Sequence, residues 1–226
     1  MKFRDFIESK ALAAAFKSKL AGVPQDPKHH PEGDVLIHTR LVRRAIPKAI
    51  QELQALKSGA FSNVFGDLNF QIDANEMAIL SLAAWLHDIG KVTATTIDGQ
   101  PWQQGGTGRI QSIGHQDKEH FIPQLQDLEA IAPEVTRELY YQNRELIDWL
   151  IEHHMDLMSR DGFSKSFVRE NFVNGKVRPT QAMKLLLVLM WSDKMGRKPE
   201  ETIAAAIQKN ANALMASSQN SQKLFA

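Results

Sequence analysis

Met77-Ala78-Ile79-Leu80-Ser81-Leu82-Ala83-Ala84-Trp85-Leu86, with Ser81 its only polar member, runs directly into His87-Asp88-Ile89-Gly90-Lys91. A helix that is apolar on every side belongs inside a core. Asp73 and Glu76, just upstream, have the spacing of a capping box that would start it. The end of the run is the anomaly, because it sets an imidazole beside a carboxylate. Burying such groups costs several kcal/mol unless they are paired or bound to a metal. Both are good ligands for divalent transition metals. The pair therefore needs a partner, and its chemistry points to metal.

A second run repeats the pattern. Ala182 to Trp191 is apolar apart from Lys184, and Ser192-Asp193-Lys194 follows. The two most hydrophobic helices thus end in acidic residues, Asp88 and Asp193. A helix-end salt bridge from Asp193 to Lys194 or Arg197 would need no metal. Together with His87-Asp88, convergence of several helices on one metal centre is the better account.

Outside these runs helical periodicity dominates. It predicts helices over 3–21, 35–57 (Asp34 as cap, Pro47 as kink), 115–130 (His115 at its start), 134–157, 164–173, 180–195 and 199–216. Residues 58–72 read as a loop anchored by Phe61, Phe65 and Phe70. Residues 92–113, rich in Thr, Gln and Gly, form the long irregular segment. Its Gly105-Gly106-Thr107-Gly108 lacks the Lys-Ser/Thr ending of a P-loop and reads as a turn or short hairpin. The expected fold class is all-α, one helical-bundle domain over 23–198. A helix within 1–22 packs on it, and a helix with a polar tail occupies 199–226.

Composition narrows the function classes. The chain has 226 residues, with 27 Lys and Arg against 26 Asp and Glu, a formal net charge of +1. That balance makes no global case for nucleic-acid binding, and no DNA-binding motif is visible. Arg40, Arg43 and Arg44 share a helix face that could guide an RNA backbone or simply be solvated. Without cysteine, disulfides, thiolate metal sites and Cys nucleophiles are excluded. The charged N-terminus, Met1 to Glu8, does not fit a signal peptide, and no apolar stretch is long enough to span a membrane. A soluble cytoplasmic protein is the expectation.

Eight histidines supply the remaining candidates: His29, His30, His38, His87, His115, His120, His153 and His154. His38, between Ile37 and Leu41, would face inward, and His153-His154 ends an apolar-striped helix. His29 and His120 read as surface residues. The Trp149, Met155 and Met158 group and the Met190-Trp191 pair read as core.

The order His38, His87-Asp88, His115, His153 or His154, Asp193 resembles that of the HD-domain superfamily of metal-dependent phosphohydrolases. Its wording is similar to the HD domain attached to bacterial tRNA nucleotidyltransferases and to HD modules of RNA-repair proteins. Pro27-Lys28-His29-His30-Pro31-Glu32-Gly33-Asp34-Val35 followed by His38-Thr39 resembles that branch's entry motif, and Leu86 to Lys91 its core motif. Gly108-Arg109-Ile110 with Gly114-His115 resembles the third block, and His154-Met155 the fourth. The resemblance covers roughly residues 24–197. Only about 23 residues precede the first motif, so a stand-alone HD protein, not a nucleotidyltransferase, is the expectation.

The resemblance implies that His38, His87, Asp88 and Asp193 hold one divalent ion. His115 and His154 would hold a second, with Asp88 bridging and His153 a further candidate. Manganese, iron, cobalt, nickel or magnesium would serve. Two such ions lower the pKa of a bound water and stabilise in-line attack on phosphorus. Lys91, three residues past Asp88, is expected to neutralise the substrate phosphate. Lys194 and Arg197 are weaker candidates for that task, and Arg109 and His30 would line the pocket rim. The implied activity is hydrolysis of a nucleotide or RNA-end phosphate ester, with 2′,3′-cyclic phosphodiesters preferred. A 5′-nucleotidase is the nearest alternative, and a mixed-valent di-iron oxygenase on the same scaffold is the alternative of another class.

Overall fold

The computed structural model describes residues 10–55, 70–155 and 179–197. The helices expected over 164–173 and 199–216, the loop anchors Phe61 and Phe65, and Met158 lie outside the described residues.

The architecture is all-α with one small sheet. In chain order the described elements are α1 (Lys10–Leu20), α2 (Val35–Ala55), α3 (Ala74–Leu86), α4 (Lys91–Ala94), β1 (Thr96–Ile97), β2 (Gln100–Pro101), β3 (Ile110–Gln111), α5 (Lys118–Glu129), α6 (Glu134–Gln142), α7 (Arg144–His153) and α8 (Pro179–Arg197). The apolar run forms α3, and every residue from Ala78 to Leu86 is buried. Its capping box is complete: Asp73 Oδ1 accepts from Glu76 N at 2.8 Å, and Asp73 N donates to Glu76 Oε2 at 3.2 Å. The second apolar run forms α8, whose most extensive contact is with α2. Helices α2, α6, α7 and α8 all pack on α3, so the two runs without a polar face are the ones the bundle encloses. Among the described residues no helix is long and apolar enough to cross a membrane.

Asp34 caps α2, its Oδ1 accepting from Ile37 N at 2.9 Å, while its Oδ2 accepts from Gly22 N at 2.8 Å. The 21–34 loop is thereby tied to the helix it precedes. Pro47 sits inside α2 without ending it. Arg43 does not join a solvated or RNA-guiding face. Its guanidinium lies 4.5 Å over the Trp85 ring, which stacks on Phe16 at 4.6 Å, whereas Arg40 and Arg44 are exposed.

Three boundaries differ from the periodicity. The helix expected over 134–157 is two helices, because Asn143 leaves the helical region (φ −124°, ψ 21°) and its side chain donates to Leu139 O at 3.0 Å. Such local side-chain bonding competes with helix continuation. The helix expected from 115 starts at Lys118, so His115 stands in the turn from Gly114 (φ +71°) to Asp117. The irregular segment contains an antiparallel sheet of order β2-β1-β3, pairing Thr96 with Pro101 and with Gln111. Its tight turn is Asp98-Gly99, both at positive φ, which suits a two-residue hairpin. The Gly105–Gly108 run leads into β3.

Candidate metal centre

Helix ends and one turn bring the candidate ligands to one place. His38 lies in the first turn of α2, His87 follows the last residue of α3, and Asp88 comes next. His154 follows α7, Asp193 is in the last turns of α8, and His115 arrives from the turn before α5. All six are buried. His38, His87 and Asp193 form one group able to hold an ion, and Asp88, His115 and His154 form another.

Asp88 connects the two groups. Its Oδ2 lies 3.4 Å from His87 Nε2 and 3.5 Å from His38 Nε2. Its Oδ1 lies 3.1 Å from His115 Nε2 and 3.8 Å from His154 Nε2, and has no hydrogen-bond partner despite burial. One carboxylate therefore presents one oxygen to each group.

The imidazoles are oriented from behind. His87 Nδ1 donates to Ala84 O at 2.9 Å, His115 Nδ1 to Ser112 O at 2.8 Å and His154 Nδ1 to Ile151 O at 2.7 Å. A carbonyl can only accept, so each Nδ1 carries the proton and each Nε2 of a neutral ring is a lone pair aimed inward. Yet His115 and His154 Nε2 are 3.3 Å apart, and His38 and His87 Nε2 are 3.4 Å apart. With no charge between His115 and His154, their lone pairs would face one another. Donors about 2.1 Å from a shared ion stand about 3.0–3.4 Å apart, from octahedral to tetrahedral geometry. His38 Nε2 and Asp193 Oδ1 stand somewhat closer, at 2.8 Å, and the other inward-facing pairs span 3.1–3.9 Å, a donor set able to hold a divalent cation in each group.

Counter-charges complete the centre. Lys91 Nζ donates to Asp88 Oδ2 at 2.8 Å and to Gln25 Oε1 at 2.7 Å. Arg197 grips Asp193 with Nε at 3.2 Å and Nη2 at 2.6 Å. Burial alone would push both carboxyls up, but Lys91 with His87 and His115 holds Asp88 well below the ordinary carboxylate range. Arg197 and His38 do the same for Asp193. His154 is pushed down to about 3 by burial and by neighbouring His87 and His115, which keeps it neutral as a ligand must be. His38 goes the other way: burial opposes its charge, but Asp193 at 2.8 Å and Glu32 at 2.7 Å raise its pKa.

The centre opens into a cleft of about 340 Å³ lined by His29, His30, Lys91, Arg109, His115 and Arg197, among others. Lys194 is half-buried and does not line it. His153 lies outside both groups, its ring tilted against Trp149 at 4.8 Å. His29 is exposed, and His120 is half-buried beside Thr93 Oγ1.

Three contributors escaped sequence reasoning. Glu32 contacts His38, Gln25 holds Lys91, and Gly90 allows His115 to approach, since a Cβ there would lie 1.9 Å from His115 O. Glu32 and Gly90 both stood inside quoted motifs, so their position was the available signal. Comparisons with family models, curated proteins and solved structures give no match to the chain.

Proposed function

We propose that the chain is a divalent-metal-dependent phosphohydrolase acting on a nucleotide or RNA-end phosphate ester. The observation that carries the proposal is Asp88, one buried carboxylate facing two imidazole groups and held against Lys91 and His115, which line a cationic cleft. A pair of divalent ions, when bound there, would activate a water near neutral pH and stabilise in-line displacement at phosphorus.

The chain's own residues account for the rest. His38, His87 and Asp193 would hold the first ion, His115 and His154 the second, and Asp88 would bridge. Lys91 uses two of its three N–H donors on Asp88 and Gln25, leaving one for a phosphate oxygen in the cleft it lines. Arg197 is positioned beside Asp193 to add positive charge. Both favour an anionic substrate. The cleft volume falls within the range of small-molecule sites, which suits a mononucleotide or a terminal nucleotide. The preference for 2′,3′-cyclic phosphodiesters rests on the RNA-end wording of the motifs.

The test is a screen of Mn-, Co-, Ni- and Mg-loaded protein against a generic phosphodiester, a 2′,3′-cyclic nucleotide and several nucleoside monophosphates. Hydrolysis of the cyclic substrate is expected. Activity confined to monophosphates would move the substrate assignment to a nucleotidase. Inactivity on all of them, with oxygen consumption by the iron-loaded protein, would overturn the hydrolase proposal in favour of a di-iron oxygenase.

A further inference from the structure

Glu32 is not among the proposed metal ligands, yet it is enclosed between two imidazoles. Its Oε1 lies 2.9 Å from His30 Nδ1 and 2.7 Å from His38 Nδ1. The His30 contact is a hydrogen bond, and the His38 contact is a close ion pair. Glu32 thus takes a hydrogen bond from His30 and a close ion-pair contact from His38, whose Nδ1 does not meet hydrogen-bond geometry. With Nε2 serving the first group, His38 Nδ1 carries the ring proton of the neutral imidazole and has no lone pair for a third ion.

The two rings meet edge to face, their centroids 4.8 Å apart and their planes at 82°. With Nδ1 of each ring turned to the same oxygen, Nε2 of each points away from it. His38 Nε2 reaches Asp193 at 2.8 Å and His87 at 3.4 Å. His30 lines the cleft, and its Nε2 has no protein partner among the described residues. Glu32 Oε2 is buried with no partner, an unfavourable feature that packing alone would not select.

The backbone fixes this placement. Gly33 adopts φ +126°, and a Cβ there would lie 2.9 Å from Ile37 Cδ1, so only glycine fits easily between Glu32 and the cap Asp34. His30 O accepts from Gly33 N at 3.4 Å, and His30 N donates to Asp26 O at 2.8 Å. The turn delivers Glu32 to the back of His38.

We propose that Glu32 is a positioning residue that sets two imidazoles at once, turning His38 Nε2 toward the first ion and His30 Nε2 toward the phosphate ester in the cleft. This rests on the metal-dependent hydrolase proposed above. A carboxylate behind a ligating imidazole fixes its tautomer and raises its basicity, and loss of such a group lowers metal affinity about 10–100-fold.

The experiment titrates cobalt(II) into wild-type, Glu32→Ala, Glu32→Gln and His30→Ala chains, and measures KM and kcat for a generic phosphodiester. Glu32→Ala is expected to weaken one ion about 10–100-fold, keep the other, and raise KM. His30→Ala should raise KM with both affinities unchanged. Glu32→Gln, equal in shape but uncharged, should weaken the same ion about tenfold and supplies the answer if the alanine variant does not fold. Wild-type affinity for both ions in Glu32→Gln and in any folded Glu32→Ala overturns the proposal. A His30→Ala chain with unaltered KM overturns its substrate half. A wild type that binds no cobalt removes the hydrolase proposal itself, and this inference with it.

Discussion

Replacing Gly90 by Ala should remove one metal ion without touching a ligand. The added Cβ would lie 1.9 Å from His115 O, 3.0 Å from His115 C and 3.2 Å from His120 Cβ. The first contact must open to at least about 3.0 Å, a shift of about 1.1 Å, and it is made by backbone that cannot rotate aside. His115 Nε2 stands 3.1 Å from Asp88 Oδ1 and 3.3 Å from His154 Nε2. Metal–ligand distances tolerate only about 0.2 Å, so a shift of that size takes His115 out of the second group. Gly90 has helical angles (φ −64°, ψ −18°), so alanine itself would add about 0.4–1 kcal/mol. Overpacking costs about 1–3 kcal/mol, leaving a net loss of about 1–2 kcal/mol. For a chain of this size that lowers Tm by roughly 2–8 °C. Elemental analysis after dialysis should find one tightly held ion in place of two, and hydrolysis should fall sharply. A Gly90→Ala chain with two ions and wild-type turnover would show that His115 is not displaced.

Three further outcomes follow from the same geometry. Lys91→Met should lower kcat/KM about 100-fold while both ions remain bound, and unchanged kinetics would show that Lys91 serves only Asp88. His154→Ala should abolish binding of the second ion, whereas His153→Ala should keep both ions and cost no more than about 1 kcal/mol in a melting experiment, from its Trp149 contact. Affinity for the first ion should rise with pH through the neutral range, because Asp193 and Glu32 outweigh burial and raise the pKa of His38, which must shed a proton to bind. His154, pushed down to about 3, imposes no such competition on the second ion above that pH. Calorimetry in buffers of different ionisation enthalpy reads the proton release, and a first-ion affinity that does not rise with pH would contradict it.

The helices that carry the centre were legible because their signals are local. Asp73 and Glu76 announce α3, and a run with no polar face can only be buried, which places His87 and Asp88 inside. Asp193 ends the second such run, and His38, His115 and His154 were identified by order and wording; the structure brings the three histidines within 3.1–3.8 Å of Asp88 and Asp193 within 2.8 Å of His38. What escaped depends on one local side-chain bond and otherwise on tertiary contact. The break at Asn143 is one side-chain hydrogen bond in an otherwise helical pattern. Arg43 has the spacing of a surface stripe, but Trp85 from another helix draws it inward. Glu32 resembles any loop acid until α2 sets His38 against it, and Gly90 shows its purpose only when the His115 turn closes on it. The Asp193–Arg197 bridge offered by their spacing is present beside the metal-ligand group, and Lys91 pairs with Asp88 in the same local way.

Whether Asp88 bridges two ions can be read from anomalous diffraction by manganese-soaked crystals. Two peaks about 3.5–4 Å apart are expected, one bound by His38, His87 and Asp193, the other by His115 and His154, with one Asp88 oxygen on each. A single peak, or two peaks that do not share Asp88, would contradict the bridging role.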